Sequence, residues 1–155
     1  LIIAPRKTER FDEAAQMVPG AVRRSSGAPA PPGSTRFILY TIGELSSVFE
    51  IADLVIMGRS FNDQYGSDPI EPAGLAKAVI IGSRYGDFES SVALLTYAGG
   101  IRIETRETLS AAVAELLEDR AGRAAMGEAA QRCVRQQQGA SETHASVLLG
   151  SIRNP

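Results

Sequence analysis

Three groups of residues in this chain have the types and spacing to hold a nucleotide. Arg6 follows Pro5 just after the apolar run Leu1-Ile2-Ile3. A guanidinium there is a permanent charge whose fork of donors suits a phosphate or carboxylate. Gly43 lies between Ile42 and Glu44, after Phe37-Ile38-Leu39, and lets a base or ribose approach the backbone closely. Asp68-Pro69-Ile70-Glu71 follows Leu54-Val55-Ile56-Met57 across a polar loop containing Gly58 and Gly66. The Glu71 carboxylate can accept two hydrogen bonds from a vicinal diol, while backbone amides at a helix start face the phosphate.

Each group also has a reading without a ligand. Asp68 can cap a helix, with Pro69 as its first residue and Glu71 reaching back in a capping box. Thr41 and Glu44 share that spacing, and Arg6 can pair with Glu9. A common location favours the ligand. All three groups sit at the carboxyl ends of expected strands, where open parallel sheets bind their ligands.

The elements that must position them follow from the hydrophobic pattern. Short, almost purely apolar runs at Leu1–Ala4, Phe37–Leu39, Leu54–Met57, Val79–Ile81 and Ile101–Ile103 alternate with helical stretches. That alternation predicts an α/β fold, a Rossmann-like parallel sheet flanked by helices on both faces. Helices are expected over Asp12–Val18, from Thr41 with Leu45, Val48, Phe49 and Ala52 inward, from Pro69 to about Leu75, and from Asp87 to Leu95. Beyond Thr105 the chain reads as wholly helical, with a stripe of Leu109, Val113, Leu116 and Leu117. A second helix runs to about Gln138 and a last one over Ser141–Leu149. Ala21–Thr35, rich in Ser, Gly, Pro and Arg, reads as irregular.

Composition narrows the function. The 155 residues are about one domain's length. A net charge of -2, from 16 basic and 18 acidic residues mixed along the chain, gives no long-range attraction to nucleic acid, and no nucleic-acid partner is expected. The single cysteine, Cys133, and the single histidine, His144, leave no transition-metal set, so neither metal nor cofactor is expected. No apolar run approaches the roughly 20 residues that cross a bilayer. Neither a dinucleotide Gly-x-Gly-x-x-Gly after a strand, nor a phosphate loop, nor a hydrolase Gly-x-Ser-x-Gly is present.

The motifs Ile-Ala-Pro-Arg-x-x-Glu-Arg-Phe (Ile3 to Phe11), Arg-Arg-Ser (Arg23 to Ser25), Thr-Ile-Gly-Glu-Leu (Thr41 to Leu45), Ala-Asp-Leu-Val-Ile-Met-Gly-Arg-Ser-Phe (Ala52 to Phe61) and Asp-Pro-Ile-Glu-Pro-Ala-x-Leu-x-Lys-Ala-Val (Asp68 to Val79) occur in this order. Together they resemble the carboxyl-terminal domain of 3-deoxy-D-manno-octulosonic acid (Kdo) transferase. The resemblance implies the C-terminal half of a GT-B glycosyltransferase, which transfers Kdo from CMP-Kdo to a lipid A precursor in lipopolysaccharide biosynthesis. It also implies a reaction without a bound metal, at the cytoplasmic face of the inner membrane.

Carried over from the family, the CMP-binding positions are Pro5 and Arg6; Ile42, Gly43 and Glu44; and Asp68, Pro69, Ile70 and Glu71. Ile42 stands where the family has Met, Asp68 where it has Asn, Ser67 where it has His, Tyr40 where it has Asp, and Lys7-Thr8 where it has His-Pro. The resemblance places the general base, the acceptor site and the membrane contact in an amino-terminal domain outside residues 1–155. The expectation is therefore a donor-binding domain, truncated at its amino terminus, that binds donor weakly and is inactive by itself. A GT-B transferase using a UDP- or GDP-sugar, or a non-catalytic nucleotide-binding module, is the alternative.

Overall fold

Among the described residues every strand pairing is parallel, and the strands are short. A computed structural model describes residues 1–23, 29–39, 41, 43–63 and 66–138. They fall into two compact units, Leu1–Val48 and Phe49–Pro155. Tyr40, Ile42, His144 and the helix expected over Ser141–Leu149 lie outside the described residues, as do Arg24 and Ser25.

The first unit holds a three-stranded sheet. Strand β3 (Phe37–Ile38) lies between β1 (Ile2–Ile3) and β2 (Val22–Arg23). Backbone bonds extend the pairing beyond the strand ends, from the Leu39 amide to the Ile3 carbonyl at 2.8 Å and from the Val22 amide to the Arg36 carbonyl at 2.9 Å. Strand β2 falls in the segment read from sequence as irregular. Its two residues offer no apolar run, and only the partner strand makes them extended. Helix α1 (Phe11–Met17), preceded by a 3-10 turn over Thr8–Arg10, buries Phe11 and half-buries Ala14, Ala15 and Val18. Arg23 reaches Asp12 of α1 at 3.0 Å.

Helix α2 (Leu45–Ile51) crosses the boundary between the units. It starts later than expected. The Val48 amide bonds the Glu44 carbonyl at 3.1 Å, so Thr41 to Glu44 precede the helix. Leu45, expected to face inward, is exposed.

The second unit contains strands β4 (Leu54–Met57), β5 (Ala78–Gly82) and β6 (Ile101–Glu104) in that spatial order, with Val55 opposite Val79 and Val79 opposite Ile101. Central β5 is buried along its whole length, because helices cover both faces of the sheet. On one face Val79 and Ile81 join Val92 and Leu95 of α4 (Glu89–Tyr97), Ala130 and Val134 of α6 (Arg120–Gln136), and Ala73 of α3 (Ile70–Gly74). On the other, Ile80 packs on Ala112 and Leu116 of α5 (Arg106–Glu118). This two-sided burial is why the strand reads as an unbroken apolar run. Leu117, placed in the inward stripe by its spacing, is exposed, and Ala112 takes the buried position. Asp87 sits inside a 3-10 turn, Gly86–Phe88, and does not cap α4. Thr105 does cap α5, in a reciprocal box with Thr108.

Candidate functional site

In the first unit, β1 and β3 are parallel neighbours, so the residues after them share one edge of their sheet. Arg6 is exposed there and Pro5 half-buried. The ion pair that the sequence offers Arg6 is made by its neighbour instead: the Lys7 Nζ lies 3.6 Å from Glu9. Past β3, Gly43 adopts φ +92° with open space where a side chain would stand. The Thr41 hydroxyl donates to the Glu44 carboxylate. Ile42 falls outside the described residues.

In the second unit, the chain leaves β4 through a 3-10 turn, Gly58–Phe61, that buries Ser60 completely. The Ser60 hydroxyl donates to the Met57 carbonyl and accepts the Gly82 amide hydrogen at 2.6 Å. The Ser60 carbonyl accepts from the Arg84 amide at 2.9 Å. One small polar side chain thus ties together the carboxyl ends of β4 and β5. Gly66 holds φ +81°, and a Cβ there would lie 2.9 Å from the Arg84 carbonyl oxygen and 3.1 Å from Tyr85 Cα. Only glycine lets the loop lie this close to the end of β5.

Asp68 then turns the chain into α3, its Oδ1 accepting the Ile70 amide hydrogen at 3.0 Å. Buried Pro69 enters with φ -83° and ψ -5°, and the Ala73 amide bonds its carbonyl at 3.1 Å. The N-cap is therefore Pro69 and not Asp68, the cap expected from the sequence: the helix begins one residue later, and Asp68 bonds its first amide from outside the cap position. That bond occupies one amide of a helix only five residues long, which leaves this helix end a smaller part in holding a phosphate than the sequence suggests. Asp68 and Glu71 are both exposed.

Sequence reasoning passed over one group. Asp63, Ser83, Arg84, Tyr85, Gly86 and Glu89 line an open cleft of about 500 Å³ at the carboxyl end of β5. The signal was available, since Ser83-Arg84 follows an apolar strand as Pro5-Arg6 does. Among the described residues no group of three or more His, Cys, Asp or Glu side chains could hold a metal ion. No described helix is long and apolar enough to cross a membrane.

Parallel strands alternating with helices, with polar and charged turns at the strands' carboxyl ends, define a Rossmann-like α/β fold. The chain resembles the C-terminal domain of Kdo transferase in particular, as its motifs imply. It is 32% identical over 136 residues to a 3-deoxy-D-manno-octulosonic acid transferase of Bordetella pertussis, covering 84% of this chain and 32% of the relative. It is 29% identical over 155 residues to the transferase of that name from Haemophilus influenzae, covering 96% of this chain and 36% of the relative. The chain thus spans about a third of the length of the curated relatives it matches. The fold matches the crystal structure of the C-terminal CMP-Kdo binding domain of WaaA from Acinetobacter baumannii with a TM-score of 0.79 at 22% identity, over 86% of this chain and 72% of that one. No protein-family model matches the sequence.

Proposed function

We propose that this chain is the donor-binding part of a Kdo transferase and that it holds CMP-Kdo while the sugar passes to a lipid A precursor. The observation that carries the reading is the coincidence of two likenesses. The sequence is similar to Kdo transferases, and the fold is that of a domain described as binding CMP-Kdo. In this reading Pro5, Arg6, Ile42, Gly43, Glu44, Asp68, Pro69, Ile70 and Glu71 form the CMP site. Arg6 meets the phosphate, the open backbone at Gly43 admits the base or ribose, and Glu71 accepts from the ribose hydroxyls. The acceptor site, the general base and the contact with the inner membrane's cytoplasmic face belong to the portion of the relatives that this chain does not span.

Charge supports a monophosphate. The residues assigned to CMP include one cation, Arg6, and three carboxylates, Glu44, Asp68 and Glu71, so a diphosphate meets more repulsion than CMP does. Competition binding of CMP, UDP and GDP to the full-length protein, with and without a chelator, tests the reading. CMP should win by about tenfold or more, on the order of 1.4 kcal/mol, with no dependence on magnesium. Tighter binding of UDP or GDP, or loss of binding on chelation, assigns the chain to another GT-B transferase.

A further inference from the structure

We infer that the cleft at the carboxyl end of β5 seats the sugar of the donor, with Arg84 receiving its carboxylate; the inference rests on the CMP-Kdo reading above. In such a donor the carbon that carries the phosphate also carries a carboxylate. A site that recognises more than CMP therefore needs a second cation, a short distance beyond the phosphate.

The cleft has the chemistry for this. Its volume of about 500 Å³ falls within the range of small-molecule sites. Arg84 is its cation, and Asp63, Glu89 and Ser83 supply acceptors and a hydroxyl for a polyhydroxylated ring. The location is also suitable. Gly66, two residues before Asp68, packs directly on the backbone of Arg84 and Tyr85, so the cleft adjoins the turn assigned to CMP.

The arginine springs from a fixed base. Its amide donates to the carbonyl of buried Ser60 at 2.9 Å, the next residue, Tyr85, packs against the core, and the Tyr85 carbonyl accepts from the Phe88 amide at 2.7 Å. The guanidinium itself is loosely engaged. Its Nη1 lies 3.4 Å from Asp63 Oδ1, with the two side chains 65% and 87% exposed. An exposed pair of this kind contributes little. A ligand carboxylate in bidentate geometry can displace Asp63 at small cost.

The test is calorimetric titration of CMP and of CMP-Kdo into the full-length protein and its Arg84→Ala, Arg84→Lys and Asp63→Asn variants, beside melting curves. Arg84→Ala should weaken CMP-Kdo about tenfold and leave CMP and the melting temperature unchanged. Arg84→Lys should recover part of the loss, and Asp63→Asn should keep or tighten donor binding. Equal weakening of both ligands by Arg84→Ala, or no weakening of either, overturns the inference and leaves the CMP site standing. Failure of the unaltered protein to bind CMP at all removes the functional reading and this inference together.

Discussion

The Ser60 hydroxyl and the Gly82 amide meet at 2.6 Å, 22 residues apart in the chain, and their bond holds together the two strand ends from which the second unit's polar turns emerge. Replacement by Ala takes the side-chain acceptor from the Gly82 N–H in a fully buried place. Ser60→Ala should therefore cost about 1–3 kcal/mol of stability, seen as a fall of several degrees in the thermal midpoint. Gly82→Ala should cost at least as much, because its Cβ would stand 2.3 Å from the Ser60 carbonyl oxygen. An unchanged melting curve for both variants would show that this tie is unimportant.

Asp68 is both an acceptor for the first amide of α3 and a negative charge, and two substitutions separate these roles. Asp68→Asn keeps an oxygen to accept the Ile70 amide hydrogen, so stability should hold while CMP binding tightens through loss of repulsion with the phosphate. Asp68→Ala should lower stability by about 0.5–1.5 kcal/mol through loss of that hydrogen bond. Weaker CMP binding by the Asn variant would mean that the carboxylate itself is used.

For Glu71 the expected effect is on the ligand. Glu71→Gln in the full-length protein should weaken CMP by about 1–3 kcal/mol, the range for hydrogen bonds to a charged group. Calorimetric titration beside a melting curve checks it. A drop in stability with unchanged affinity would return Glu71 to a purely structural role.

Glu104 sets a dependence on pH. The Thr108 hydroxyl foremost, with the Arg102 guanidinium, holds its carboxyl below the usual carboxylate range, against burial that pushes it up. The side chain is only 10% exposed. A depressed carboxyl contributes stability above its unfolded-state value of about 4.3, and the contribution is lost as pH falls through the folded-state value. Glu104→Gln should thus be less stable by about 1–2 kcal/mol near neutrality, with the gap closing in acid below about pH 4. Melting curves at neutral and acid pH measure it; a gap that persists in acid would point to lost packing instead of lost charge.

Much of this was legible in the sequence, for local reasons. The apolar run ending in Val79-Ile80-Ile81 is a strand because both of its faces are buried, and such a run has no other use in a short segment flanked by Lys77 and Gly82. The chain is helical beyond Thr105 as its pattern suggests, and Asp68 bonds the amide two residues ahead of it, within a single turn. The motifs named the family resemblance without any knowledge of contacts.

Tertiary structure decided what depends on residues far apart in the chain. Val22 and Arg23 are a strand only because β3 lies beside them, and no pattern within two residues can encode that. Leu117 satisfies the helical spacing of an inward residue, yet the buried face of the helix runs through Ala112 and Leu116 against Ile80 and leaves Leu117 exposed. Ser60 reads as an ordinary loop serine, and its role exists only where the ends of β4 and β5 converge. The cleft around Arg84 forms for the same reason: the loop carrying Gly66 must fold back onto the end of β5 before Asp63 and Arg84 can face each other.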